Sequence, residues 1–295
     1  MGLLSIHAEG VRRSPLGPLL VGAVLLASLA APGSGTRAYL PFWSLPGVAF
    51  IGLLAGPFFW HGGSAPERVP DLQFAAYGGP AYTMASRVRL AQTNGTDMRF
   101  EGVPWKGEPF TAPPYYGLRG IYWLPSSQLG VMGDFTHIKA EAIRESVVEQ
   151  SGQRDGAAVA PQEPLSATFK ALEFTHGFNL VTLNLVRRGP LRHAALVTYA
   201  GAGLGIAYPH VEMQRMGAPR ESRTYTYQIA GPAFQVLAGI EWRFSPRFSL
   251  FAEYKLSCAA ISGALLGGGS VETNLCTHQL LGGPAFHLKA RDAAL

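Results

Sequence analysis

From Asp71 onward the chain repeats one pattern that few folds accommodate: runs of about ten residues or more in which apolar and polar side chains alternate at period two. Eight such runs are present: Leu72–Met84, Tyr115–Leu124, Leu129–Lys139, Phe178–Arg187, Ala194–Tyr208, Tyr227–Phe244, Phe248–Cys258 and Cys276–Leu288. Their connections alternate in length. Short turns fall at Pro125–Gln128, Arg188–His193 and Ser245–Arg247, and long polar loops at Ala85–Pro114, Ala140–Gly177, Pro209–Thr226 and Ala259–Leu275. The clearest hairpin is Tyr115–Leu124 with Leu129–Lys139, joined by Pro125-Ser126-Ser127-Gln128 and entered through a loop rich in Pro, Gly and Trp. An even number of strands, with turns alternating with loops, predicts an all-β fold: an eight-stranded antiparallel transmembrane β-barrel of outer-membrane type. In lipid every backbone donor and acceptor must be paired, so a spanning sheet has to close on itself.

The faces agree with this. In the sixth run Phe234, Val236, Ala238, Ile240 and Trp242 share one parity, and Gln235, Gly239 and Glu241 the other. In the seventh, Leu250, Ala252, Tyr254 and Leu256 alternate with Ser249, Glu253 and Lys255; in the eighth, Leu280, Gly282, Phe286 and Leu288 alternate with Gln279, Gly283 and His287. A soluble barrel would reverse these faces, and the polar residues are too few to coat its exterior. Tyr122, Trp123, Trp242 and Tyr254 fall near strand ends, where interfacial aromatics sit. The closing run Gly283–Leu288 has the alternating apolar end that such barrels present to the outer-membrane assembly machinery, with a tail at 289–295 behind it.

Residues 1–70 read as an apolar targeting or anchor region. Arg12 and Arg13 precede an apolar run from Leu16 to Ala31 that ends in small residues, the layout of a signal peptide. A second run, Tyr39 to Trp60, is long enough to span a bilayer but is interrupted by Pro41, Pro46 and Pro57. It reads either as the true signal, with an exit near Gly63-Ser64-Ala65, or as a retained anchor. Both imply export to a membrane or beyond. The net charge of +5 is scattered, with no basic patch interleaved with aromatics, which excludes nucleic acid as a partner.

Gly201-Ala202-Gly203-Leu204-Gly205 invites a nucleotide-loop reading, but Ile206 stands where the next glycine would be and no helix follows, so glycines on the lumen face of a curved strand explain it better. Arg119, Asp134, Glu241, Glu253 and Lys255 share the lumen parity and predict a charge-paired plug rather than a solute pore. His137 and Lys139 end the third run, His176 opens the fourth behind Glu173, and His210 and Glu212 follow the fifth, so all meet at the outer rim if the long loops face outward. Histidine and carboxylate suit proton transfer near neutrality or a divalent metal. The plain alternative is a set of hydrated rim residues, with Lys139 meeting lipid phosphates. Trp105, Tyr115 and Tyr116 read as interfacial anchors or as the walls of a sugar pocket. Cys258 and Cys276 end neighbouring antiparallel runs, and a structural disulfide there would stabilise by about 3 kcal/mol in the chain-entropy model.

Several blocks of the chain, in order, resemble the lipid A oxidase family of outer-membrane barrels. They are W-K-G-E-P-F-T-A-P-P-Y-Y-G-L-R-G-I-Y-W (Trp105–Trp123), D-F-T-H-I-K (Asp134–Lys139), F-T-H-G-F-N-L-V-T-L-N (Phe174–Asn184), Y-A-G-A-G-L-G-I-A-Y-P-H-V-E (Tyr199–Glu212) and F-A-E-Y-K (Phe251–Lys255). The resemblance covers about Asp71 to Leu288, the barrel of the three-part organisation 1–70, 71–288 and 289–295. It implies an integral protein of the bacterial outer membrane that oxidises the proximal glucosamine of lipid A, within lipopolysaccharide, to 2-aminogluconate. Molecular oxygen is the implied co-substrate, hydrogen peroxide the co-product, and the chemistry admits a divalent metal. Rim position and chemistry assign His137, His176, His210 and Glu212 as base or ligand, and Arg119 and Lys139 as holders of a remaining lipid A phosphate.

Two other readings stay open. A non-catalytic small barrel could anchor the envelope or bind lipopolysaccharide, because a barrel does not fix a function. A retained Tyr39–Trp60 helix would instead make the chain an inner-membrane assembly partner. Convergence of the rim histidines and Glu212 on one cavity separates the enzyme from the binding barrel.

Overall fold

The computed structural model describes residues 71–112, 114–125, 127–189 and 195–289, the last without its side chain. Both apolar runs of the N-terminal region lie outside the described residues. Eight strands form the barrel: β1 (Asp71–Tyr77), β2 (Tyr116–Trp123), β3 (Leu129–Ile138), β4 (Phe178–Arg188), β5 (Leu196–Ala207), β6 (Gly231–Arg243), β7 (Phe248–Ala264) and β8 (Ser270–Lys289). Each pairs antiparallel with its neighbour in sequence. β1 pairs on one side with β2 (Asp71↔Trp123 to Tyr77↔Gly117) and on the other with β8 (Asp71↔Lys289 to Ala75↔Ala285), closing the sheet. Closure leaves no edge in the hydrocarbon region.

The outward parity carries apolar side chains, among them Phe74, Leu118, Val131, Leu183, Leu204, Ile240, Leu250 and Leu280, all exposed. The inward parity carries a packed polar core. Arg119 Nη1 donates to Glu253 Oε2 at 2.5 Å, and its guanidinium lies 3.9 Å from the centre of the Phe251 ring. Lys255 Nζ donates to Asp134 Oδ2 (2.6 Å) and to the Tyr77 hydroxyl (2.8 Å), which itself donates to Asp134 Oδ1 (2.7 Å). Nearer the short-turn end, His287 sits between Asp71 and Glu241, with both contacts at 3.1 Å. The expected charge-paired plug is therefore present, and each ion meets its counter-charge inside a lumen filled by side chains. Gly201, Gly203 and Gly205 fall on the lumen parity of β5. A Cβ on Gly205 would come within 1.9 Å of the Val181 carbonyl oxygen, and one on Gly203 within 2.2 Å of Asn184 Oδ1, so close approach of β4 explains the glycines. Trp123 departs from the expected girdle. It faces the lumen, donating from Nε1 to Gln73 Oε1 at 3.1 Å under the Arg188 guanidinium, while Tyr122 and Trp242 do face outward.

The long connections are not loops. β7 and β8 extend past the rim as a hairpin turned at Gly267, Gly268 and Gly269, whose φ values of +85°, +96° and +97° suit glycine. Ser86–Gln92 pairs with the extended β8, Thr96–Val103 pairs with Ser86–Gln92, and Val147–Arg154 follows. A second sheet takes Trp105–Lys106, Glu141–Ala142, Phe169–Glu173, His210–Arg215 and Thr224–Tyr227 in spatial order. The two sheets share an apolar core that includes Val88, Leu90, Met98, Phe169, Leu172 and Met213. Phe100 meets Phe169 across it with ring centres 5.1 Å apart, and Val211 packs on Gly263 of β7. This cap corrects the expected loops Ala85–Pro114 and Ala140–Gly177, and it ends the first barrel strand at Tyr77 rather than Met84. Cap strands face water on one side, so Arg87, Arg89, Asp97, Arg99 and Glu101 mask an alternation carried by Val88, Leu90, Met98 and Phe100. Cys258 and Cys276 are register partners in β7 and β8 and are joined by a disulfide, with Cα atoms 4.1 Å apart.

Candidate active site at the outer rim

The site begins as one row across the barrel wall. His137, near the end of β3, points outward, although its lumen-parity neighbours Asp134 and Thr136 point in. Its register partners are Tyr116 on β2 and Asn179 on β4, and Tyr208, just past β5, hydrogen-bonds the Asn179 carbonyl through its own N–H (2.8 Å). Register partners share a face, so these four side chains line up side by side on the outer surface at the level of the rim. Tyr116 stacks on the His137 ring at 4.8 Å, and Asn179 Oδ1 lies 2.8 Å from His137 Nδ1. That contact fixes the ring and leaves Nε2, which is buried and has no partner among the described residues.

The cap supplies the roof. Tyr227 stacks on Tyr208 with ring centres 5.5 Å apart, and its hydroxyl donates to the His176 carbonyl at 2.7 Å. Tyr116, Phe135, His137, Asn179, His176, Tyr208 and Tyr227 together enclose a cleft of about 510 Å³. Tyr116, Tyr208 and Tyr227 are each roughly half exposed, so the cleft opens sideways, toward the surface that lipid covers.

On the cap side of His176 lies a second group. His210 and Glu212 are two residues apart on one strand and so share a face. His176 reaches them from the turn before β4. One ligand atom from each of His176, His210 and Glu212 lies within 4.8 Å of the others. The Tyr225 hydroxyl lies 3.0 Å from His176 Nε2, and Arg223 pairs with Glu212 Oε1 while stacking on Tyr225. Burial holds the His210 imidazole below its ordinary pKa, helped by the nearby His176 and Arg223. Burial also pushes the Glu212 carboxyl up to about 7, helped by Glu173 directly across the sheet and opposed by Arg223.

The structure thus brings His137, His176 and Tyr116 to one cleft and gathers His210 and Glu212 around His176 beside it, so the three histidines and Glu212 form two adjoining groups rather than one cavity. The other expected contacts lie elsewhere. Arg119 is locked in the lumen plug and cannot hold an outer-leaflet phosphate, because its inward parity turns it from the lipid. Lys139 is buried, with Nζ donating to the Thr111 carbonyl (2.8 Å), and braces a connection. Trp105 belongs to the cap core, where Nε1 donates to Ser86 Oγ (2.9 Å). Tyr115 turns inward and its hydroxyl donates to Gln279 Oε1 (2.5 Å). Sequence reasoning missed Asn179, Tyr208, Tyr225 and Tyr227. Asn179 follows from the β3–β4 register once pairing is counted outward from the turn, and T-Y-T-Y at 224–227 is itself a period-two signal.

These features define an integral protein of the bacterial outer membrane, a small eight-stranded barrel with a folded cap and a lateral cleft at its outer rim. Among solved structures it is similar to Neisserial surface protein A (11% identity, 75% of this chain and 98% of that one, TM-score 0.37). It is similar too to OprG of Pseudomonas aeruginosa (12% identity, 77% and 99%, TM-score 0.37). A third is Ail of Yersinia pestis, in complex with the heparin analogue sucrose octasulfate (13% identity, 76% and 100%, TM-score 0.32). No family model and no curated protein sequence matches the chain.

Proposed function

We propose that this barrel is an enzyme of the outer leaflet that oxidises the proximal glucosamine of lipid A to 2-aminogluconate with molecular oxygen. The observation that carries the proposal is the position of the cleft. His137 sits on the outward face of the wall at the rim and His176 on the turn beside it, where an outer-leaflet glycolipid would present its sugars, and the half-exposed Tyr116, Tyr208 and Tyr227 offer flat apolar faces to a sugar ring. The block resemblance supplies the reaction. Loss of the anomeric C–H and of the hydroxyl proton delivers two electrons and two protons to oxygen, giving hydrogen peroxide and a lactone that water opens. His137 suits the base: Asn179 fixes its tautomer through Nδ1, and Nε2 is left to take the hydroxyl proton.

A second reading, a non-catalytic barrel that binds lipopolysaccharide or other surfaces, is favoured by the ordered cap, whose water-facing side displays Arg87–Glu101 and Arg89–Asp97 pairs. The experiment compares lipid A by mass spectrometry from cells with and without the gene, grown with oxygen. A species one oxygen heavier that vanishes on deletion and in His137→Ala supports the oxidase and its base. Loss on deletion with retention in His137→Ala keeps the reaction and moves the base. Identical lipid A with the barrel in place sinks the oxidase and leaves the binding reading.

A further inference from the structure

The group beside the cleft carries a separate conclusion. We propose that His176, His210 and Glu212 form a binding site for one divalent first-row transition metal on the cap side of the cleft. The proposal stands on the geometry of the cap and holds whether or not the lipid is oxidised.

Two imidazoles and one carboxylate with room for further ligands suit iron(II), cobalt(II), manganese(II) or zinc(II), whereas calcium and magnesium ask for oxygen donors. The three groups already converge, with His176 Nδ1 3.8 Å from Glu212 Oε2. That is too long for a hydrogen bond. Ligand atoms about 2.1 Å from one ion stand about 3 to 3.5 Å apart, so this pair needs a contraction of well under an ångström, and the set as a whole, spread over up to 4.8 Å, a larger one. His176 is half exposed on a turn, so the contraction falls to its side chain, pivoting on the Tyr225 contact.

What surrounds the three groups is what a metal needs and a plain ion pair does not. Tyr225 holds His176 by Nε2 at 3.0 Å, which leaves Nδ1, the nitrogen nearer Glu212, for the ion. Arg223 takes one oxygen of Glu212 and leaves the other toward His176. Nδ1 of His210 is buried and has no partner among the described residues, an expensive arrangement unless something occupies the space beside it. Across the sheet Glu212 is the register partner of Glu173, and Glu173 that of Glu141, giving a row of three carboxylates on one face. Lys106 meets only the far member of that row, at 3.1 Å from Glu141. Like charges directly opposite one another repel, so a cation at Glu212 is favoured.

The test uses the untagged full-length protein in detergent micelles, freed of metal by chelation and titrated with cobalt(II). Calorimetry and the visible absorption of cobalt are the readouts. The expected result is one equivalent per chain, weakened more than about 100-fold in His210→Ala and in Glu212→Gln, and roughly 10- to 100-fold in Tyr225→Phe, which leaves every ligand in place. His278→Ala, on the wall of β8 where His278 contacts Tyr254 at 2.6 Å, should bind as the parent does. Heat-dependent gel migration checks that each barrel is folded. Absence of stoichiometric binding overturns the proposal, as does binding that survives both ligand substitutions or falls equally in His278→Ala. Stoichiometric cobalt with unchanged lipid A upholds the metal site and rejects the oxidase.

Discussion

At the scale of single residues the site rests on two hydrogen bonds that set what the histidines can do. Asn179 holds His137, and Tyr225 holds His176. If His137 is the base, Asn179 is a positioning residue, and Asn179→Ala should lower kcat for lipid A oxidation roughly 10- to 100-fold with KM changed little. Asn179→Asp retains an acceptor oxygen toward Nδ1 and should recover much of that loss. Equal rises in KM for both variants would instead mark Asn179 as part of the pocket wall. Of this machinery His137, His176, His210 and Glu212 were legible in the sequence, because histidines and a carboxylate at strand ends stand out in an apolar barrel. Asn179 was not, since only the pairing of β3 with β4 tells it from any other asparagine. Lys139 misled because a cation at a strand end looks alike whether it turns to the phosphates or into the protein, whereas Arg119, in mid-strand on the lumen parity, already belonged to the plug and its phosphate role conflicted with that parity.

At the scale of elements, legibility divides at the membrane surface. Inside lipid the outward parity must be apolar, so β6, β7 and β8 could be read directly, including the side on which Glu253 and Lys255 lie. Beyond the rim that constraint lapses. Strands of the cap are short, some only two residues long, and face water on one side, so their charges read as loop. The tall β7–β8 hairpin joins both regimes and carries the disulfide. Removing the disulfide with Cys258→Ser and Cys276→Ser together should lower stability by about 3 kcal/mol, while the long ladder of register pairs from Phe248↔Phe286 to Ala264↔Ser270 keeps the barrel closed. Urea unfolding in micelles measures the first, and retained heat-dependent gel migration the second. A barrel that no longer closes would show that the bond is needed to form the hairpin rather than to stabilise it. Where strands approach closely the tolerance is smaller. Gly205→Val should prevent β4 and β5 from pairing, because its Cβ alone would meet the Val181 carbonyl oxygen at 1.9 Å, and unfolded protein should dominate on the same gel.

For the whole molecule, the plug decides which surface works. Arg119 with Glu253 and Lys255 with Asp134 close the lumen, and all four side chains are fully buried. A filled barrel moves no solute, so purified protein in a planar bilayer should show no steady conductance above the bare membrane. The same pairs separate structure from chemistry. Lys255→Met strands Asp134 without its ammonium partner and should cost about 3–5 kcal/mol, whereas Lys255→Met with Asp134→Leu removes both charges and should return near the parent stability or above it. Because the cleft lies on the opposite side of the wall from the plug, the double variant should keep cobalt binding and lipid A oxidation at parent levels. Urea midpoints, the cobalt titration and the lipid A mass spectrum read the three effects on one set of samples. Full stability with lost oxidation in the double variant would put the chemistry inside the barrel and overturn a site on its outer wall.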